Sequence, residues 1–203
     1  MNSEKSFFAP GNTAILLVDH QPGVLRMIGS VPTGSVANNA ATLARLGEQL
    51  QIPLVITSTR EDLEFLGTTL KEIQTAAPTA CSRRIRRAGV LNAFKDPAFV
   101  EAVAATKRKN LVIAGILTDV CLFHSVVSAL DAGYNVQVVA DASGTTTTLA
   151  DTVTYDQLRS LGAVVTSTYG ILFELYPDLS TAAGQKAEAV ASASVGQPKS
   201  AAA

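Results

Sequence analysis

Charge is scarce in this sequence. Sixteen Lys and Arg stand against 17 Asp and Glu, only 16% of 203 residues, for a formal net charge of -1. Such a balance offers no long-range field to a polyanion, so neither nucleic acid nor anionic membrane is an expected partner. No run reaches the roughly 18 apolar residues of a spanning helix. The N-terminal MNSEKSFFAPG has an acid, one Lys and no sustained apolar core, so neither signal peptide nor anchor reads there and a cytoplasmic location is expected. Two cysteines, Cys81 and Cys121, do not make a disulfide framework in a chain of this length. Two histidines, His20 and His124, are too few for an ordinary zinc or iron site, and neither metal nor cofactor is expected. Behind the first apolar run stand Asp19, His20, Gln21 and Pro22 rather than a glycine-rich phosphate loop, which argues against both common nucleotide-binding motifs.

What the sequence does have is an alternation of short β-branched apolar runs with longer helical patterns. The runs are Thr13 to Val18, Ile52 to Thr57, Leu111 to Ala114, Asn135 to Ala140 and Ala163 to Thr166. They are apolar on both faces, as strands covered by helices on either side are. Helices are expected over Ser35 to Gln51, Pro97 to Thr106, Asp119 to Ala132 and Asp151 to Ser160. This pattern specifies an α/β sandwich on a mostly parallel sheet, in one domain over residues 1–180. Residues 181–203 turn to Ala, Ser, Gly, Lys and Gln: Thr181 to Ala191 reads as a helix able to pack on a neighbouring subunit, and Ser192 to Ala203 as a flexible tail.

Ligands of open parallel sheets collect beyond the carboxyl ends of the strands. Asp19 follows AILLV, Arg87 closes the basic run RRIRR, and Cys121 lies six residues beyond Gly115 near the start of the next helix. A carboxylate that takes a thiol proton, a cation that stabilises both anions and a thiol at a helix start form a coherent nucleophilic set. Each residue also has a plainer reading: a buried structural Cys, a capping or turn Asp, and a solvated basic face for Arg83, Arg84, Arg86 and Arg87.

The segments AILLVDHQ, RRAGVLNAF, GILTDVCLFHSVVSAL and VVADASG resemble the isochorismatase-like cysteine hydrolases, especially their small oligomeric group of probable hydrolases, over about residues 10–175. The resemblance implies a three-layer α/β/α sandwich with a six-stranded, mainly parallel sheet. It also implies an Asp, Lys and Cys triad in chain order, falling on Asp19, Arg87 and Cys121. Arginine in the lysine position is a departure. It carries the charge that would lower the thiol pKa, yet cannot release a proton near neutral pH, and Arg84 or Arg86 remains an alternative occupant. A cis peptide between Ile116 and Leu117, also implied, would aim the N–H groups of Leu117 and Cys121 at a developing oxyanion.

On this reading the protein hydrolyses a small amide, imide or related C–N substrate through a thioester. A noncatalytic binder or scaffold and a vinyl-ether hydrolase of isochorismatase type are the alternatives. Nicotinamidase-like relatives carry an Asp-x-His metal cluster after the second strand, where this chain reads VITSTREDLEF without a His. Gln21, Thr59, Phe94 and His124 are candidates for the substrate pocket, with Phe123 or Phe173 as further sources of an aromatic wall. His20, next to Asp19 on a strand, should face the other way. Low charge and the resemblance together point to a homo-oligomer, a tetramer or octamer.

Overall fold

The computed structural model describes residues 8–193. Six strands, β1 (Thr13–Val18), β2 (Leu54–Thr59), β3 (Ile85–Arg87), β4 (Asn110–Gly115), β5 (Asn135–Val139) and β6 (Val164–Thr166), form one sheet in the order β3-β2-β1-β4-β5-β6. Every pairing is parallel. The helices are α1 (Pro22–Leu25), α2 (Thr33–Leu50), α3 (Lys71–Ala76), α4 (Pro78–Ser82), α5 (Pro97–Ala105), α6 (Phe123–Asp131), α7 (Thr148–Ser160), α8 (Thr168–Leu175) and α9 (Ala182–Ser192). A π-turn, Thr118–Leu122, leads into α6. No described helix is long and apolar enough to cross a membrane.

The alternation along β1 builds the two cores. Ile15 and Leu17 pack with Leu43 and Leu46 of α2, Ile73 of α3, Ile171 of α8 and Val190 of α9. Ala14, Leu16 and Val18 pack on the other face with Phe99 and Val103 of α5, Val126 of α6 and Leu158 of α7. Because both faces are covered, all six residues of TAILLV are buried, which is why the strand reads as a continuous apolar run. Each fully buried Leu or Ile contributes about 1.5–3 kcal/mol of transfer free energy, so the central strands anchor the molecule.

The expected elements are present with shifted edges. β2 starts two residues later than the apolar pattern suggested and runs through Thr57, Ser58 and Thr59, whose hydroxyl side chains are buried at the carboxyl end. β3 lies inside the basic run and α8 had no counterpart among the expected helices. The single helix expected from Asp119 is instead a π-turn followed by α6. Helix α9 packs within its own chain, with Ala187 and Val190 in the α2 core and the Tyr169 hydroxyl donating to the Ala191 carbonyl at 3.0 Å. The expected tail lies, from residue 194 onward, outside the described residues.

The chain runs from β1 outward through β2 to β3, then returns to place β4 on the other side of β1. The order of the strands therefore reverses between β1 and β4. A crevice opens beyond the carboxyl ends of strands at such a reversal.

Candidate active site

Asp19 leaves β1 with φ 58°, a left-handed conformation uncommon outside glycine, and its N–H donates to the Thr57 carbonyl at 3.0 Å. That turn holds the carboxylate at the β1–β4 reversal. Arg87, the last residue of β3, is in register with Thr59 of β2. Its side chain passes over β2: Nε donates to Thr57 Oγ1 at 2.8 Å, Nη1 to the carbonyls of Val90 and Leu91, and Nη2 to Asp19 Oδ2. The Asp19 and Arg87 side chains are both 0% exposed. Arg84 and Arg86 turn instead to Glu61, at 2.7 and 3.5 Å, so Arg87 is the member of the basic run that faces the carboxylate.

Cys121 lies in the π-turn after β4, only 5% exposed. The Ile116–Leu117 peptide immediately after β4 is cis. Around this bend the N–H groups of Ile116, Thr118, Val120 and Leu122 donate to the carbonyls of Val18, Gly144, Leu117 and Leu117 respectively. The isolated pairing of Ile116 with Gly144 ties the bend to the segment after β5.

The electrostatics differ in one respect from the expectation of a thiol lowered by its cation. Burial, followed by the Asp19 carboxylate, pushes the Cys121 thiol up to about 12, and Arg87 only partly opposes this. The guanidinium is already paired with Asp19, and its pull toward a thiolate is outweighed by burial and by that carboxylate. Burial also raises the Asp19 pKa above its usual value, against the lowering effects of Arg87 and of the Cys121 thiol. Among the described residues Asp19 Oδ1 has no hydrogen-bond partner, and Cys121 is near enough for carboxylate and thiol to shift each other's titration. The resting state is therefore a thiol beside a carboxylate clamped by a guanidinium.

The other sequence candidates are distributed unevenly. Gln21 is buried and its amide is fully engaged: Nε2 donates to the carbonyls of Thr59 and Gly67, and Oε1 accepts the Thr59 N–H. It clamps the ends of β1 and β2 together and does not present its amide to the crevice. Thr59 shares its face of β2 with Thr57, and its Oγ1 is buried without a partner among the described residues. Phe94 is half-buried, edge-on to Phe99 at 5.3 Å, and with Phe123 flanks the core layer that contains Cys121, whereas Phe173 belongs to the opposite layer. His124 is exposed and edge-on to Phe123, and is not among the groups that perturb Cys121. His20 points away from Asp19, with Nε2 donating to the Ala142 carbonyl at 2.9 Å. Arg60 and Asp62 pair with each other, and Glu61 holds Ser58 and Arg84, so the polar residues after β2 are largely committed to the fold. Thr57, absent from the expected site, is the residue that joins its two charged members. No residue pattern announced it, because its role depends on which strand lies between β3 and β1. Among the described residues no three His, Cys, Asp or Glu side chains gather as a metal site.

Comparison with known proteins places this geometry in a family. The model described as the isochorismatase domain matches residues 13–169. The chain is 34% identical over 167 residues to the probable hydrolase YcaC of Escherichia coli, covering 82% of this chain and 79% of that protein. The E. coli YcaC structure, described as an octameric hydrolase of unknown specificity, superposes with a TM-score of 0.86 at 31% identity over 94% of this chain and 91% of that one. YcaC from Pseudomonas aeruginosa, solved with hexane-2,5-diol and covalent acrylamide, superposes with a TM-score of 0.84 at 30% identity over 93% of this chain and 96% of that one. With its six-stranded parallel sheet and with Asp19, Arg87 and Cys121 gathered at the strand ends, the chain belongs to the isochorismatase family of hydrolases and is closely related to its YcaC-type probable hydrolases.

Proposed function

We propose that the protein is a cysteine-dependent hydrolase of a small amide, imide or related C–N substrate, working through a thioester. The observation that carries this reading is the buried Asp19 carboxylate, paired with the Arg87 guanidinium and close enough to the Cys121 thiol for the two to shift each other's titration. A thiol held near 12 is a poor nucleophile by itself, so the proton must leave as the sulfur attacks. Asp19 takes that proton, and Sγ forms a bond to the carbonyl carbon. The carbonyl oxygen becomes an oxyanion, which the N–H groups of Leu117 and Cys121 receive. The surrounding amides of Ile116, Thr118, Val120 and Leu122 are already engaged with backbone carbonyls. Collapse breaks the C–N bond, and the departing nitrogen takes the proton from Asp19. Water then attacks the thioester while Asp19 accepts its proton. The acid leaves, and the sulfur recovers its proton from Asp19. Arg87 orients Asp19 and favours its ionised form. The covalent acrylamide in the P. aeruginosa relative fits a nucleophile in this fold. The octameric description of the E. coli relative supports a homo-oligomer, tetramer or octamer, as the working assembly.

The test is the rate of Cys121 alkylation by iodoacetamide as a function of pH, read by peptide-resolved mass spectrometry. If Asp19 and Cys121 share one proton, the rate steps up as Asp19 ionises, above 3.8, and then stays level across neutral pH until the thiol itself titrates near 12. A thiol acting alone instead gains about tenfold per pH unit over that range. Asp19→Asn should convert the first profile into the second. An isolated-thiol profile in the native protein, with no acyl adduct on intact protein across a panel of amides and imides, would overturn the hydrolase reading in favour of a binding or scaffold role.

A further inference from the structure

The sheet order creates a problem of reach. Arg87 is on β3 and its carboxylate partner follows β1, two strand spacings away, about 10 Å. The side chain must cross β2 inside a buried layer, and the residue it crosses is Thr57. This residue, 1% exposed, touches both members of the ion pair: its Oγ1 accepts Arg87 Nε–H at 2.8 Å, and its carbonyl accepts the Asp19 N–H at 3.0 Å. Beyond it, Nη1 is held by the carbonyls of Val90 and Leu91, leaving Nη2 for Asp19. The acceptors thus lie around a planar fork: a hydroxyl at Nε, two carbonyls at one terminal nitrogen and a carboxylate at the other.

We infer that Thr57 is a positioning residue of this site and that its surroundings are built for arginine, so that lysine at position 87 would impair the site. The inference rests on reading Asp19, Arg87 and Cys121 as one reacting unit. An ammonium is a single point with three donors and no fork. From the Arg87 backbone it cannot satisfy Thr57 Oγ1, the Val90 and Leu91 carbonyls and Asp19 together. The acceptors it abandons are shielded from water, where an unmatched polar group is costly. Thr57 acts through Arg87: without its oxygen the guanidinium loses the contact that fixes its rotation about the end of the side chain. Asp19 is then a less favoured anion.

The experiment uses the alkylation profile of Cys121, which needs no substrate. Thr57→Val keeps the shape of the side chain and removes the acceptor, and Thr57→Ser keeps the acceptor and removes a methyl. The expected result is that Thr57→Val moves the acid-side step to higher pH by about one unit, the scale of one hydrogen bond to a charged group. Thr57→Ser holds the step where the native protein has it. Arg87→Lys should move the step upward by at least as much as Thr57→Val. A merely structural role would lower the melting temperature in both Thr57 variants without separating their pH steps. Coincident steps for Thr57→Val and Thr57→Ser would overturn the inference. So would an Arg87→Lys protein whose step coincides with that of the native one, and this second arm decides the matter if Thr57→Val does not fold. The native profile separately tests the Asp19–Cys121 pair, so the two readings fail by different results.

Discussion

His20 and Asp19 are adjacent, yet the structure gives them opposite tasks. Asp19 turns left-handed into the crevice, whereas His20 is buried on the other side with Nε2 on the Ala142 carbonyl and Nδ1 without a partner among the described residues. Burial, only partly offset by that carbonyl, lowers the His20 pKa from 6.5 to about 4. The unfolded chain therefore binds this proton first on acidification, and the folded protein resists it. Between those values the unfolded state holds more protons, so stability is full above pH 6.5 and falls as pH falls toward 4. The loss should total about 3 kcal/mol. Urea unfolding at a series of pH values checks this, with His20→Gln expected to flatten the native slope over that window. The placement of Asp19, Arg87 and Cys121 at strand ends was legible from the sequence. The raised thiol was not, because it depends on how deeply Cys121 is buried and on Arg87 being already paired.

Elements position the site through close backbone approach. Gly115 ends β4 immediately before the cis bend, and a Cβ there would lie 2.9 Å from Val18 Cβ and 3.3 Å from Leu122 Cβ. A methyl would wedge β1, which leads to Asp19, away from the turn that carries Cys121. Gly115→Ala should destabilise the protein by about 1–3 kcal/mol, as overpacking does. It should also slow Cys121 labelling, since the carboxylate and thiol are pushed apart. Denaturant unfolding and the alkylation rate measure the two effects separately. The long buried strands and α2 were readable from their periodicity. β3 was not: three residues, Ile85–Arg87, inside a basic run carry no alternation, and only pairing with β2 makes them a strand. The π-turn escaped for a related reason, because its pattern matches that of the helix it leads into.

The whole molecule buries its sheet on both faces but leaves several large apolar side chains in the open. Leu149 is 72% exposed, Phe65 63%, Val164 54% and Met27 52%. Scattered exposed apolar residues are ordinary, but a chain with little charge has few devices to keep such surfaces apart. Sedimentation equilibrium of the full chain should return four or eight times the 21.1 kDa protomer mass, consistent with the proposed assembly. A single-protomer mass at micromolar concentration would overturn it. Helix α9, which the Ala-rich composition suggested for a subunit contact, buries Ala187, Val190 and Ala191 in its own core, which leaves its opposite face for any neighbour.

The sequence by itself determined the α/β alternation, the two-sided burial of the central strands and the types of the three residues at their ends. Those properties reside in short-range periodicity and in side-chain chemistry, which need no third dimension. Tertiary structure alone decided the strand order, and with it the need for Arg87 to cross β2, the part played by Thr57 and the sealing of the thiol beside an anion. These depend on which distant segments become neighbours, and pKa values and hydrogen-bond partners are properties of that neighbourhood.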